Sequence, residues 1–166
     1  METITKPNVA DLIAQSKQNT EMAKGRLLRT FEFIPDDKLT YSPAPTCKHA
    51  LRIVAHCAVT NNIFATILRG EDLPVSENPD EARAKVAAME SSVTSREAAV
   101  KSLEDSTAAV MSALDKVTAE SLETSPMSPF GPFPMSFWMA LPAMHMGSHA
   151  GQIDYIQTIW DDQEFH

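Results

Sequence analysis

The chain has 166 residues, of which 43% are hydrophobic and 22% are charged, close to the averages of globular proteins. A chain of this length buries roughly two-thirds of the surface that it exposes when unfolded, so we expect one domain with one core over residues 1–166. The formal net charge of −8 argues against a nucleic-acid or anionic-membrane partner, because phosphate binding relies on clustered Lys and Arg.

Two helices are predicted in the first part of the chain, since apolar residues recur at helical spacing and no segment alternates apolar and polar residues as a strand does. The first helix should begin after the N-cap Asn8 and stop near Pro35. A proline-containing connector over 39–45 leads to Thr46, whose hydroxyl can cap a second helix that ends at Arg69-Gly70.

Two further helical sections are predicted in the second part of the chain. The third covers 80–90 and 95–117, with a break near 91–94. Residues 126–134 contain four prolines together with Phe130 and Phe133, which predicts an irregular apolar loop. The fourth helix should run over about 134–160, bent by Pro142 just before His145. The predicted fold class is therefore all-α.

The fourth helix carries two histidines with the spacing of metal ligands. His145 and His149 are four residues apart, so they share one helix face with Cβ atoms about 6 Å apart, and both can bind one ion. A helical wheel predicts that this face is buried, with Trp138, Leu141, His145, His149, Gln152, Ile156 and Ile159 on one arc. On the second helix, His56 is predicted to face the core on a stripe with Ile53, Thr60, Ile63, Phe64 and Ile67.

These three imidazoles can be interpreted in two ways. A single inward histidine is commonly satisfied by a backbone carbonyl, whereas three neutral rings in an apolar interior each bring a lone pair that needs a donor or a metal. One Zn²⁺, Ni²⁺ or Fe²⁺ would satisfy all three and leave a coordination position open, which is the pattern of a catalytic site. A non-catalytic bundle that binds metal or a small ligand remains the alternative.

Other residues near the predicted site have more than one possible role. Gln152 could orient a ligand or metal-bound water, or it could satisfy a core hydrogen bond. His49 lies near the arc of His56 but in an exposed first turn, and Cys57 is expected to be packed in the core. The side chains of Phe130, Phe133, Met135 and Phe137 could form a lid or pocket wall, although closure of the bundle end is the simpler expectation, and Trp138 is expected to be core.

Two strings carry a family resemblance: Ile53-Val54-Ala55-His56 and His145-x-x-x-His149-Ala150-Gly151-Gln152. With the ends of the first two helices, they resemble the DinB-like superfamily of metalloenzymes. The resemblance implies an up-down-down-up four-helix bundle, often a homodimer, with zinc or nickel bound by His56, His145 and His149. It also implies relatives that are transferases and isomerases using thiols such as bacillithiol or mycothiol, and others suspected of metal-dependent hydrolysis.

Two departures from the family pattern bear on the reaction. Ala150 stands where many members have Arg, and the predicted inner faces of the second and fourth helices carry no Asp or Glu to act as a base for water. A metal-bound thiol needs no such base, because coordination lowers its pKa. We therefore expect S-transfer in which a small thiol attacks an electrophile beneath the 130–137 loop, with a hydrolase as the alternative.

The remaining expectations concern location and pH. Two cysteines, Cys47 and Cys57, are too few for a disulfide framework and should be reduced. The first nine residues hold no apolar run, and nowhere do eighteen apolar residues follow one another, so we expect a cytoplasmic protein without a membrane anchor. Metal affinity is expected to fall as the pH drops through about 6, the range in which free imidazoles become protonated.

Overall fold

The computed structural model describes residues 8–73, 78–128, 131–164 and 166, and these residues form six α-helices and no strand. A 3-10 turn at Asp36–Lys38 follows the first helix. The prediction of an all-α fold is confirmed. The helices are α1 (Val9–Glu32), α2 (Ala50–Leu68), α3 (Pro79–Ser91), α4 (Arg96–Leu114), α5 (Ala119–Leu122) and α6 (Met135–Thr158).

The predicted boundaries of α1 are confirmed and the predicted start of α2 is wrong. The side chain of Asn8 accepts a hydrogen bond from the Ala10 N–H, and α1 ends at Glu32, before Pro35. Helix α2 begins at Ala50, not after Thr46, because the Nδ1 atom of His49 accepts the Arg52 N–H at 3.2 Å and caps the helix. Its predicted end is confirmed, with Gly70 at a φ of 69° just beyond.

The break in the third helical section is also confirmed. Helix α3 ends at Ser91, and the hydroxyl of Ser95 starts α4 by accepting the Ala98 N–H at 3.1 Å. The single turn α5, closed by a capping box between Thr118 and Ser121, was not predicted. Helix α6 matches the predicted fourth helix and contains Pro142 in its interior.

The four long helices form the bundle. Helix α1 packs on α6 and α2 packs on α4, while contacts of α2 with α6 and of α1 with α4 complete the ring. The direction order up-down-down-up stays a prediction. Apolar side chains from all four long helices fill the core, among them Leu27, Phe31, Val54, Phe64, Leu103, Val110, Met139 and Ile153. Helix α3 packs on the outside of α2, where it borders the candidate site.

Helix α2 is apolar enough to raise the question of a membrane span. It has 19 residues and a mean hydropathy of 1.3 over its most apolar window, and 72% of that window is buried inside the protein. Burial of this kind is what the central helix of a bundle shows, so length and composition are weak evidence for a span. The predicted location in the cytoplasm stays a prediction.

Candidate metal centre

The structure brings His56, His145 and His149 together at one point. One ring nitrogen from each lies within 4.8 Å of the other two, and the ring centroids are 4.5 to 5.0 Å apart. His56 comes from the middle of α2, and the other two rings come from successive turns of α6. The predicted convergence of rings from two separate helices is present in the fold.

Each ring has a hydrogen-bond partner on its Nδ1 atom, and these partners determine the tautomers. The Glu90 carboxylate lies 2.7 Å from His56 Nδ1 and can only accept a proton. The Thr60 hydroxyl already donates to backbone carbonyls of α2, so towards His145 Nδ1 at 3.3 Å it acts as an acceptor. The Gln152 Oε1 atom accepts from His149 Nδ1 at 2.7 Å. All three rings are therefore inferred to be protonated on Nδ1, with the Nε2 lone pairs left free.

The free Nε2 atoms fit a divalent ion. The Nε2 atoms of His145 and His149 are 3.2 Å apart; two nitrogens bound tetrahedrally to one Zn²⁺ at about 2.0–2.1 Å would be roughly 3.3 Å apart. Neither atom carries a proton in the inferred tautomers, so two lone pairs face each other across a half-buried site. A cation between them would turn that repulsion into ligation, which makes this donor set suited to Zn²⁺ or Ni²⁺.

A buried carboxylate next to the site was missed by the sequence analysis. Glu90, near the end of α3, is 1% exposed. Besides His56, it accepts hydrogen bonds from Lys48 Nζ at 2.6 and 2.5 Å and from Arg52 Nε at 2.9 Å. Burial acts to raise the pKa of Glu90, but these three donors outweigh it and lower the pKa. The expectation of a carboxylate-poor site considered only two helices, and it is wrong because α3 supplies Glu90.

A sequence signal for Glu90 did exist. Residues Ala82, Val86 and Glu90 are spaced by four, so they share one face of α3. An acidic residue at the end of an otherwise apolar stripe suggests a buried partner. What the sequence lacks is any sign that this stripe packs beside His56.

The three histidines resist protonation. Burial lowers the pKa of His145 to about 3, and it also lowers the pKa of His56 and of His149. Hydrogen bonds to Glu90 and Gln152 act in the opposite direction but are outweighed. Protons should therefore begin to compete with a metal at a lower pH than the value of about 6 expected from free imidazoles.

The predicted inward arc of α6 is rotated from the observed one. The buried stripe consists of Trp138, Met139, Pro142, Met146, Ala150, Ile153, Ile156 and Gln157. His145 and His149 lie at the edge of that stripe and are half-buried, whereas Gln152 and Ile159 are exposed. His56 is likewise at the border of the core, with 19% of its side chain exposed. The three rings therefore lie at the edge of the bundle core, and His56 and His145 face a cavity there.

The other candidate residues are helix caps, core side chains or cavity walls. His49 caps α2 and has no contact with the three rings among the described interactions. Cys57 is fully buried and unpaired with Cys47, as expected. Phe133 and Phe137 are cavity walls, Met135 is core, and Trp138 is both core and wall. Phe130 lies outside the described residues.

His56 and His145 open onto a cavity of about 780 Å³ between α2, α3 and the start of α6. His56 and His145 line one part of it with Lys48, Thr60 and Glu90. Most other lining side chains are apolar, among them Ile63, Phe64, Ile67, Val86, Phe137 and Leu141. A reactive polar group beside a largely apolar space of this size is the usual form of a small-molecule site.

Comparison with known proteins identifies the family. The family model of the DinB superfamily matches residues 19–153. The chain belongs to the DinB superfamily. Among curated proteins no relative matches it.

Three solved structures share the fold of this DinB-superfamily chain. A mutant of a mycothiol-dependent maleylpyruvate isomerase superposes with a TM-score of 0.70 at 13% identity, over 89% of this chain and 63% of that one. The unmutated isomerase superposes with a TM-score of 0.67 at 15% identity, again over 89% of this chain and 63% of the isomerase chain. A conserved protein from Enterococcus faecalis superposes with a TM-score of 0.67 at 20% identity, over 88% of this chain and 95% of that one. This DinB chain thus spans less than two-thirds of the isomerase.

Proposed function

We propose that this DinB-superfamily protein is a metal-dependent S-transferase that joins a low-molecular-weight thiol, through its sulfur, to an electrophilic substrate. The observation that carries the proposal is the meeting of three histidine rings, with one nitrogen of each within 4.8 Å of the other two and a different partner on each Nδ1 atom. His56, His145 and His149 would hold a divalent ion, with zinc or nickel as the candidates. A bound ion of this kind supplies Lewis acidity that stabilises a sulfur anion at neutral pH.

The residues of the chain explain how the two reactants would meet. Three protein nitrogens would leave a position for a thiol sulfur at a bound ion, and the cavity would hold the electrophile beside His56 and His145. In an addition, the sulfur forms a bond to an electrophilic carbon and the thiol proton ends on the adduct. Phe133 and Phe137, stacked with centroids 4.8 Å apart, form a wall that would limit the access of water.

Hydrolysis is the second candidate, and the surroundings of Glu90 count against it. A hydrolase needs a base within reach of the attacking water. Glu90 is the buried carboxylate next to the site, but its oxygens already accept hydrogen bonds from Lys48, Arg52 and His56 Nδ1. Its lowered pKa makes it a poor proton acceptor. The thiol reaction needs no base of this kind.

The fold neighbours agree with this choice of reaction class. A mycothiol-dependent isomerase has the same fold, and mycothiol is therefore one thiol to test. The identity of the electrophile, and a homodimeric state, are likewise proposals for this chain.

The test begins with metal analysis of the purified protein and of its His145→Ala, His149→Ala and His166→Ala variants. His166 is a matched control, since its ring stacks on Phe33 and is not one of the three. Each protein is then supplied with Zn²⁺ or Ni²⁺ and assayed for loss of free thiol with an α,β-unsaturated carbonyl, using mycothiol, bacillithiol, glutathione and coenzyme A.

We expect about one ion per chain and thiol consumption in the wild type and His166→Ala, and loss of both in the other two variants. Ester or amide hydrolysis with water alone, and no reaction with any thiol, would favour the hydrolase. A protein that binds no divalent ion would refute both, and one that binds an ion without either reaction would be a non-catalytic metal-binding bundle.

A further inference from the structure

The cavity beside the histidines has two chemically different ends. Moving along α2 from His56 to Ile67, the lining changes from polar to apolar, and on α3 the same change runs from Glu90 to Pro79. On α6 and the preceding loop it runs from His145 back to Phe133. Apolar side chains therefore predominate away from the candidate metal ligands on all three segments. The polar exceptions are Arg83, which is exposed and pairs with Asp80, and Ser128, whose hydroxyl donates to the Gly131 carbonyl.

The cavity is long. At about 1.5 Å per residue, the step from His56 to Ile67 spans roughly 16 Å along the helix axis. The α3 wall includes two small side chains, Ala82 and Ala87, and small side chains leave width for a ligand. The far end holds Ile67, Pro79 and Phe133, with Arg83 and Ser128 as its polar side chains.

We propose that this cavity binds an elongated hydrophobic electrophile, with an alkyl or aryl body along the α2–α3 wall and its polar reactive group at the three histidines. A pocket of 300–1,000 Å³ with apolar walls and a few polar groups at one place binds apolar molecules and orients them by their polar end. That the ligand is an electrophile rests on the proposed function, whereas its hydrophobic body rests on the cavity alone.

The test uses binding of inert molecules, so it needs neither metal nor turnover. Primary n-alkyl alcohols from butanol to dodecanol are titrated into the protein by calorimetry, with intrinsic tryptophan fluorescence as a second readout because Trp138 lines the cavity. Each added methylene that enters the cavity should tighten binding about threefold to fourfold. The gain should stop when the chain exceeds the length of the cavity.

Two substitutions on α3 locate the bound chain. In Ala82→Phe a ring occupies the distal part of the cavity, so the longer alcohols should bind at least tenfold more weakly while the shorter ones keep their affinity. Ala84→Phe is the matched control, because Ala84 is exposed on the same helix and does not line the cavity. Circular dichroism and thermal melting check that both variants fold.

Two results would overturn the proposal: affinity that does not grow with chain length, or an Ala82→Phe variant that binds the series as Ala84→Phe does. Neither depends on thiol consumption. Chain-length-dependent binding without a thiol reaction would therefore support the hydrophobic site and refute the proposed reaction. A thiol reaction without chain-length-dependent binding would support the reaction and refute the hydrophobic site.

Discussion

The contact between Glu90 and His56 gives the sharpest prediction, tested by the variant Glu90→Gln. Gln has nearly the same shape as Glu but no charge, and it can accept fewer of the hydrogen bonds that Lys48, Arg52 and His56 now donate. In metal-binding histidines, the acceptor on the second ring nitrogen fixes the tautomer and the ring orientation, and its loss typically costs 10–100-fold in metal affinity. We expect a loss of this size here, or about 1.4–2.7 kcal/mol.

The stability of the metal-free protein should fall as well. Removing one partner of a fully buried ion pair costs about 3–5 kcal/mol. The side chains of Lys48 and Arg52 are 35% and 36% exposed, so both cations can recover water when Glu90 is replaced. The expected loss in the free energy of unfolding is therefore smaller, about 1–3 kcal/mol.

Two measurements separate these effects. Urea unfolding of the metal-free proteins reports stability, and competition with a chromophoric chelator for Zn²⁺ reports affinity. Lys48→Gln, which leaves the bond between Glu90 and His56 in place, should lose stability but keep its Zn²⁺ affinity within about fivefold, below the usual effect of losing a direct partner. Glu104→Gln, at an exposed site on α4, should change neither. If Glu90→Gln loses stability and binds Zn²⁺ as tightly as the wild type, Glu90 does not position His56 and the reasoning is wrong.

Three further predictions follow from the described contacts. Burial lowers the pKa of all three histidines, so below pH 6.5 the unfolded chain binds more protons than the folded one, and the metal-free protein should lose stability as the pH falls. In urea unfolding at several pH values, His145→Asn should weaken this pH dependence. An unchanged slope of unfolding free energy against pH would contradict the prediction. Burial also raises the pKa of the Cys57 thiol, so iodoacetamide on the native protein should alkylate the exposed Cys47 and spare Cys57, which mass spectrometry of the digested protein can check. Finally, Gln152→Ala should lower Zn²⁺ affinity by less than about tenfold, since Gln152 is exposed and water can replace its hydrogen bond to His149. A larger loss of affinity in chelator competition would show that water does not replace this hydrogen bond.

The helices could be predicted because their signals are local. Asn8, Ser95 and Gly70 mark helix ends by their own side chains or backbone, and each lies where the structure has a helix boundary. The start of α2 shows where local signals fail. Thr46 and His49 are both able to cap a helix, and the tight turn in which the Cys47 N–H bonds to the Ala44 carbonyl leaves the role to His49.

The rotation of α6 could not be predicted from periodicity. This helix is apolar around most of its circumference, so the stripe through Met139 and Met146 and the stripe through Trp138 and His145 both resemble a core face. Only packing against α1 and α2 decides between them. It buries the first stripe and leaves the histidines at its edge, where a small molecule can reach them.

The break between α3 and α4 explains why the site is both accessible and ordered. If α3 and α4 formed one continuous helix, α3 would extend along the line of α4 and could not fold back beside α2. Because the chain turns at Ser92 to Ser95, α3 lies against α2 as a separate wall. Glu90, one residue before its end, then binds Lys48, Arg52 and His56 of the α2 segment. The same contact that attaches this wall to the bundle also sets the tautomer of a candidate metal ligand, so the shape of the cavity and the geometry of the candidate metal centre depend on one carboxylate.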